Sequence, residues 1–148
     1  MSDFDFSENE VQRYARHIVL KDVGGTGQMK LKRGRVLIVG AGGLGSPLAM
    51  YLSAAGVGSI GIVDADTVEL SNLQRQIVHG MKDLGSPKVA SANSTMLDMN
   101  PEITVRTHDV RLSASNVTDL LVCDHVIPHG SAPFEHHFLP NHRFLYPT

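Results

Sequence analysis

Three glycines, Gly40, Gly42 and Gly45, fall in G-x-G-x-x-G spacing, with Gly43 as an extra small residue among them. Such spacing suits phosphate binding. Glycine lets the chain turn tightly and lets backbone N–H groups come close, and the N-terminus of a following helix adds partial positive charge. Nineteen residues past Gly45 stands Asp64, a carboxylate placed to grip a ribose hydroxyl. Asn72, Arg75 and Gln76 follow in the segment Val68–Ile77, where Ser71 or Asn72 can cap a short helix and bring these side chains near the strand ends. Glycine turns are common, so the flanking elements decide what this one does.

Those elements have the right order. Arg35–Val39 reads as a buried strand, a short apolar run stopped by glycine. A helix from about Leu44 to Ala55 follows, closed by Gly56 and Gly58, and Ile60–Asp64 is a second strand. Upstream, Ser7 and Glu10 have the form of a capping box, and Val11, Tyr14, Ala15, Ile18 and Val19 recur at helical spacing. The pattern alone makes Arg13 and Arg16 solvated surface. Gly24 and Gly25 end this helix, and a shorter one runs from about Gly27 to Arg33. Downstream, Ser86 as N-cap and Pro87 as first helical residue begin a helix to about Met99, with Val89, Ala92, Met96 and Met99 as its apolar stripe. Ile103–Thr107 is a third strand, Ser113 caps a helix to about Leu121, and Asp124–Ile127 is a short fourth strand. Alternating strands and helices predict an α/β fold, a Rossmann-like, mostly parallel sheet with helices on both faces and right-handed crossovers.

Composition narrows the classes. The 148 residues fit one domain with its own core, and a net charge of −2 offers no broad basic face for nucleic acid. No apolar run is long enough to span a bilayer, and the acidic, polar start is no signal peptide, so a soluble cytoplasmic protein is expected, without nucleic-acid or membrane partners. The single Cys123 excludes an internal disulfide or a Cys-x-x-Cys knuckle within the chain. At Pro128 the character changes: residues 128–148 hold four of the seven prolines and four of the eight histidines, which forbids a sustained helix. The expected organisation is therefore a nucleotide-binding domain with N-terminal helices over residues 1–127 and a Pro/His-rich irregular tail over 128–148. His129, His136, His137 and His142 lack a ligand-bearing helix pattern and a cysteine, so no metal site is assigned to them.

The segments Arg13–Leu20, Val36–Gly45, Ala55–Gly58, Gly61–Asp66, Leu70–Gln76 and Gly85–Lys88 resemble the MoeB/ThiF/HesA adenylyltransferases, bacterial relatives of ubiquitin-activating enzymes. The likeness covers roughly residues 10–127, and the run Ser71–Gln76 is its most specific part. It implies ATP-dependent activation of the C-terminal glycine carboxylate of a small ubiquitin-fold sulfur carrier, of the molybdopterin or thiamine biosynthesis type. It implies also that Asp64 holds the ribose, that Gly40, Gly42, Gly43 and Gly45 lie against the nucleotide, and that Asp66 and Gln76 belong with the nucleotide-binding residues. Asn72, Arg75 and Lys88 are then the groups that neutralise phosphate oxygens, Arg75 and Lys88 counting as catalytic with Arg16. By the same likeness Arg16 reaches into the partner subunit's site of a homodimer, which reverses its surface reading. Arg13 keeps that reading.

The family's Mg²⁺-holding carboxylate falls on Ala132 when residues 129–133 are laid against its Asp-x-x-Asp-Asn-like segment, and alanine offers no oxygen. The family's later strands, zinc-binding cysteines and reactive cysteine have no counterpart, so the fold is expected to be incomplete relative to the family's full domain. These departures imply impaired turnover, or a non-catalytic nucleotide-binding or dimerisation module. An NAD(P) oxidoreductase would share the glycine turn and Asp64, but His79 and His108 read as isolated and supply no hydride-transfer pair.

Overall fold

The computed structural model describes residues 5–121. Helix α1, Glu8–Ile18, opens with the expected capping box: Ser7 Oγ accepts the Glu10 N–H at 3.1 Å and Glu10 Oε2 accepts the Ser7 N–H at 2.8 Å. Lys32 Nζ lies 2.8 Å from the same Glu10 carboxylate and fixes α1 to the next helix. That helix, α2, spans Gly24–Arg33 and starts three residues earlier than expected. Its first turn closes across the glycines, with the Gly27 N–H donating to the Val23 carbonyl at 2.8 Å. Each helical glycine costs about 1 kcal/mol relative to alanine. Tertiary packing outweighs this, because Gln28 and Met29 are buried and Gln28 Nε2 donates to the Ala55 carbonyl.

Strands β1 (Arg35–Val39), β2 (Ser59–Val63) and β3 (Thr104–His108) form a parallel sheet in the order β1-β2-β3. Arg35 pairs with Ser59 and Val39 with Val63, and Ser59 and Val63 pair in turn with Thr104 and His108. Strand alternation divides the apolar residues between two faces. Val36, Ile38, Ile60 and Ile62 join Ala49 of α3 (Gly45–Ala55) and Val89, Ala92 and Met96 of α4 (Lys88–Met99). Leu37, Val39 and Val63 meet Leu112 and Val117, the latter on α5 (Val117–Leu121). Helices thus cover both faces, as the strand–helix alternation predicts. Leu37, Ile38, Ile60 and Ile62 have no exposed surface, and burial of each side chain stabilises the fold by about 1.5–3 kcal/mol.

Several boundaries differ from expectation for local reasons. Ser86 does not cap α4. Its carbonyl accepts the Val68 N–H, Thr67 bridges Pro87, and the cap residue is Pro87. The Lys88 N–H, which a side-chain cap would otherwise leave open, donates to the Asp66 carbonyl at 2.9 Å. Ser113 forms a turn closed by Asn116 Oδ1, so α5 begins at Val117 instead. Strand β3 is shifted one residue toward the C-terminus. The expected fourth strand at 124–127, Cys123, the 128–148 tail with its histidines, and Ala132 lie outside the described residues.

Candidate functional site

At the end of β1 the chain leaves the sheet through Gly40, whose φ of 91° is open to glycine and unfavourable to other residues. The Gly40 N–H still donates to the Val63 carbonyl at 2.8 Å, so the turn starts beside the end of β2. It closes by bringing Gly45 against Gly40, where even a Cβ would overlap the Gly40 carbonyl. Beyond this contact α3 begins, with Leu44 as a cap residue that makes no side-chain hydrogen bond. Among the described residues the N–H groups of Gly42, Gly43 and Leu44 have no hydrogen-bond acceptor. These open donors at a helix start form a ready anion cradle.

Asp64 follows β2 directly and fixes the turn. Its Oδ2 accepts the Ala41 N–H at 2.7 Å and its Oδ1 accepts the Asp66 N–H at 2.8 Å. A carboxylate offers about four lone-pair sites. Two backbone bonds therefore leave acceptor capacity for ribose hydroxyls at this half-buried position.

The segment after β2 lays its side chains over the turn. A short 3-10 turn, Leu70–Asn72, is stabilised by Asn72 Oδ1 accepting the Glu69 N–H at 3.0 Å. This leaves the Asn72 amide N–H groups as the end without a hydrogen bond among the described residues. The Asn72 carbonyl accepts the Arg75 and Gln76 N–H groups, which turns both side chains back toward the glycines. A Cβ on Gly43 would lie 3.6 Å from Arg75 Cδ, and one on Gly42 would lie 3.9 Å from Gln76 Nε2. Gln76 is buried and its Oε1 has no hydrogen-bond partner among the described residues. A buried amide oxygen without a donor is uncommon and fits a site completed by a ligand.

Lys88 opens α4 on the other flank. Its side chain is 8% exposed and its Nζ lies 3.2 Å from Asp66 Oδ2, a carboxylate that faces solvent. Sequence reasoning left His79 isolated, but it is buried and bonded on both sides: Nδ1 is 2.8 Å from Ser91 Oγ and Nε2 is 3.0 Å from the Ala41 carbonyl oxygen. Burial pushes its pKa below the ordinary value; the bond to Ala41 opposes this, Lys88 adds to it, and Asp83 and Asp64 pull the other way. Lys88 is connected to the turn through Asp66, which pairs with its ammonium and whose N–H donates to Asp64 Oδ1, whereas Arg75 lies directly beside Gly43. Gly40, Gly42, Gly43, Gly45, Asp64, Asp66, Asn72, Arg75, Gln76 and Lys88 are thereby gathered at the C-terminal ends of β1 and β2.

Arg16 is not among them. Tyr14 of α1 packs on Gly56 at the C-terminal end of α3 and accepts a hydrogen bond from buried Asn100 Nδ2 at 2.8 Å. The glycine turn lies at the other end of α3, about 16 Å away for eleven residues. Arg16 is exposed, and its side chain makes no hydrogen bond among the described residues. Arg13, read as surface, is exposed but has a structural role: its Nη1 donates to the Met99 carbonyl at 2.8 Å, at the end of α4. Among the described residues no group of three or more His, Cys, Asp or Glu side chains could hold a metal ion, and no helix is long and apolar enough to cross a membrane.

A parallel strand–turn–helix–strand unit with a carboxylate closing its second strand defines a Rossmann-like α/β domain. The chain belongs to the ThiF family, whose family model matches residues 14–145. It is 50% identical over 135 residues to the probable adenylyltransferase/sulfurtransferase MoeZ of Mycobacterium tuberculosis, a match that covers 91% of this chain and 34% of that protein. It is 43% identical over 132 residues to the SAMP-activating enzyme E1 of Haloferax volcanii, covering 89% of this chain and 49% of that one. Among solved structures it is similar to E. coli MccB with ATP, with a TM-score of 0.67 and 29% identity over 73% of this chain and 32% of that chain. It is also similar to E. coli tRNA N6-threonylcarbamoyladenosine dehydratase TcdA, with a TM-score of 0.81 and 26% identity over 86% of this chain and 53% of that chain. The chain spans about a third to a half of the length of these relatives.

Proposed function

We propose that this chain binds ATP at the glycine turn and adenylates the C-terminal glycine carboxylate of a small ubiquitin-fold sulfur carrier, acting as a homodimer in the cytoplasm. A carboxylate oxygen of the carrier attacks the α-phosphorus, the bond to the β-phosphate oxygen breaks, and acyl-adenylate and pyrophosphate result. The observation that carries this reading is the placement of Arg75 and Gln76 against Gly43 and Gly42, with Asp64 bonded to the same turn. In it, Asp64 accepts from the ribose hydroxyls, and the N–H groups of Gly42, Gly43 and Leu44 donate to phosphate oxygens. The amide of Asn72, the Arg75 guanidinium and the Lys88 ammonium balance the negative charge, while Asp66 keeps Lys88 in place. Arg16 serves the site of the other subunit. Groups fixed in advance toward developing charge are each worth about 10²–10³ in rate.

Mg²⁺ bound with the nucleotide would screen the phosphates, and laying residues 129–133 against the family segment puts Ala132 at the ligand position. We therefore assign the chain a slow turnover. ATP–pyrophosphate exchange with a purified sulfur carrier, beside calorimetric ATP titration with and without Mg²⁺, tests this. The expected result is ATP binding with carrier-dependent exchange about 10²–10³-fold below that of the Mycobacterium tuberculosis relative. Exchange at the relative's rate overturns the impairment, and no ATP binding overturns the whole reading. Mg²⁺-independent binding with no exchange would instead favour a non-catalytic nucleotide-binding or dimerisation module, the reading that Ala132 supports.

A further inference from the structure

The turn that approaches the nucleotide is Gly40-Ala41-Gly42-Gly43, and glycine imposes little restriction on its own φ and ψ. Restraint has to come from outside; besides the Gly40 N–H on the Val63 carbonyl and the Ser46 N–H on the Gly42 carbonyl, it is applied at Ala41. The Ala41 N–H donates to Asp64 Oδ2 at 2.7 Å, and the Ala41 carbonyl lies 3.0 Å from His79 Nε2. Both peptide groups that flank Ala41 are therefore bonded, one to the carboxylate that ends β2 and the other to a buried ring, with Ser46 Oγ a second, longer donor to the same carbonyl at 3.3 Å. A carbonyl only accepts, so Nε2 carries the proton and Nδ1 accepts from the Ser91 hydroxyl on α4 at 2.8 Å. The ring is neutral in this arrangement, as its burial favours. The circuit closes on itself: Asp64 Oδ1 accepts the Asp66 N–H, Asp66 pairs with Lys88, and Lys88 lies one helical turn before Ser91 on α4.

We propose that His79 is a positioning residue of the nucleotide-binding turn, holding the Ala41 carbonyl from α4 so that the open N–H groups after it face the phosphates before the nucleotide arrives. This inference rests on the reading that the turn binds ATP. His79 touches no reacting atom in it and acts through Ala41.

The test compares two substitutions that divide the ring's two bonds. His79→Gln keeps an N–H near the Nε2 position and so can still donate to Ala41. His79→Asn can reach only toward Ser91. Thr95→Val removes another hydrogen bond between α4 and the same loop, Thr95 Oγ1 to the Val78 carbonyl at 2.8 Å, without touching Ala41, and serves as the structural control. Amide hydrogen exchange at Ala41 in the ATP-free chain and calorimetric ATP affinity are measured for each, with melting temperatures. We expect His79→Asn to accelerate Ala41 exchange and to weaken ATP binding about tenfold. His79→Gln should stay within about threefold of the parent chain, and Thr95→Val within about twofold. Should His79→Asn fail to fold, Ser91→Ala leaves the ring in place without its anchor. Faster Ala41 exchange in that variant supports the proposal, and unchanged exchange overturns it. Equal weakening of ATP binding by Thr95→Val at a matched melting temperature overturns it too, as does parent-like exchange and affinity in His79→Asn. If the parent chain binds no ATP while His79→Asn still accelerates Ala41 exchange, the functional reading fails and the clamp on Ala41 stands.

Discussion

Gly45 lies so close to Gly40 that a Cβ placed on it would sit 1.7 Å from the Gly40 carbonyl oxygen and 2.8 Å from its carbon. Backbone atoms cannot swing aside as the end of a long side chain can. Gly45→Ala therefore has to open the turn, and overpacking of this kind costs about 1–3 kcal/mol. The expected outcome is a lower melting temperature and loss of calorimetric ATP binding. Gly43 provides the contrast, because a Cβ there meets only the Arg75 side chain at ordinary contact distance. Gly43→Ala should change stability by no more than about 0.5 kcal/mol.

Asp64→Asn keeps the shape of the side chain but replaces one acceptor oxygen with an N–H donor. Both native oxygens accept backbone N–H groups, from Ala41 and Asp66, so one of these donors loses its partner. Leaving such a group unsatisfied costs about 1–3 kcal/mol. Thermal denaturation should show this loss without any nucleotide present, and ATP titration should show weaker binding in addition.

Lys88→Met should separate stability from binding. The ammonium is buried, but its partner Asp66 is 62% exposed, so removing the cation strands no charge away from water. Pairs of this exposure are worth about 0–1 kcal/mol, and the methionine stem fills the same space. Stability should therefore fall by less than about 1 kcal/mol. ATP affinity should drop about tenfold or more, since on the proposed reading this charge balances the phosphates. Equal affinity in the variant and the parent chain would remove Lys88 from the site.

Acidification should destabilise the chain in two steps. His79 binds a proton less readily when folded than its ordinary value of 6.5 implies, chiefly through burial. Its contribution is fully present above about pH 6.5 and is lost as pH falls from there through the folded value. For Glu10, burial acts to raise the pKa, but hydrogen bonds from Lys32 and Ser7 and the Lys32 charge bring it below the ordinary 4.5. That contribution is present above about pH 4.5 and is lost as pH falls through its folded value. Melting temperatures from pH 7 downward should show both steps in the parent chain and only the lower one in His79→Gln.

The β1–turn–α3 unit was legible because its signals are local. An apolar β-branched run, three spaced glycines and a helix stop all lie within about twenty residues, and β1 falls at Arg35–Val39 as read. Asp64, Arg75 and Lys88 are singled out as a set by the family likeness. The structure bonds Asp64 to Ala41, sets Arg75 beside Gly43 and pairs Lys88 with Asp66, and their roles toward a nucleotide are those proposed above. His79 was not, because its meaning lies in a bond to Ala41, 38 residues earlier, and to Ser91 on another element. No periodicity carries such a contact. The onset of α2 was misread for the opposite reason: Gly24 and Gly25 gave a strong local stop signal, which the burial of Gln28 and Met29 overrides. The Ser86 cap failed because its backbone was already engaged by Val68.

The placement of Arg16 at the far end of α3 from the glycine turn has a consequence for titration by mixing. If the arginine of one chain completes the site of another, two defective chains can repair each other. Arg16→Ala and Asp64→Asn, each inactive alone, should regain carrier-dependent pyrophosphate exchange when combined in equal amounts, because about half of the dimers are then mixed and each mixed dimer carries one intact site. The rate should also fall steeply on dilution, so that catalysis reports the association of the chains directly.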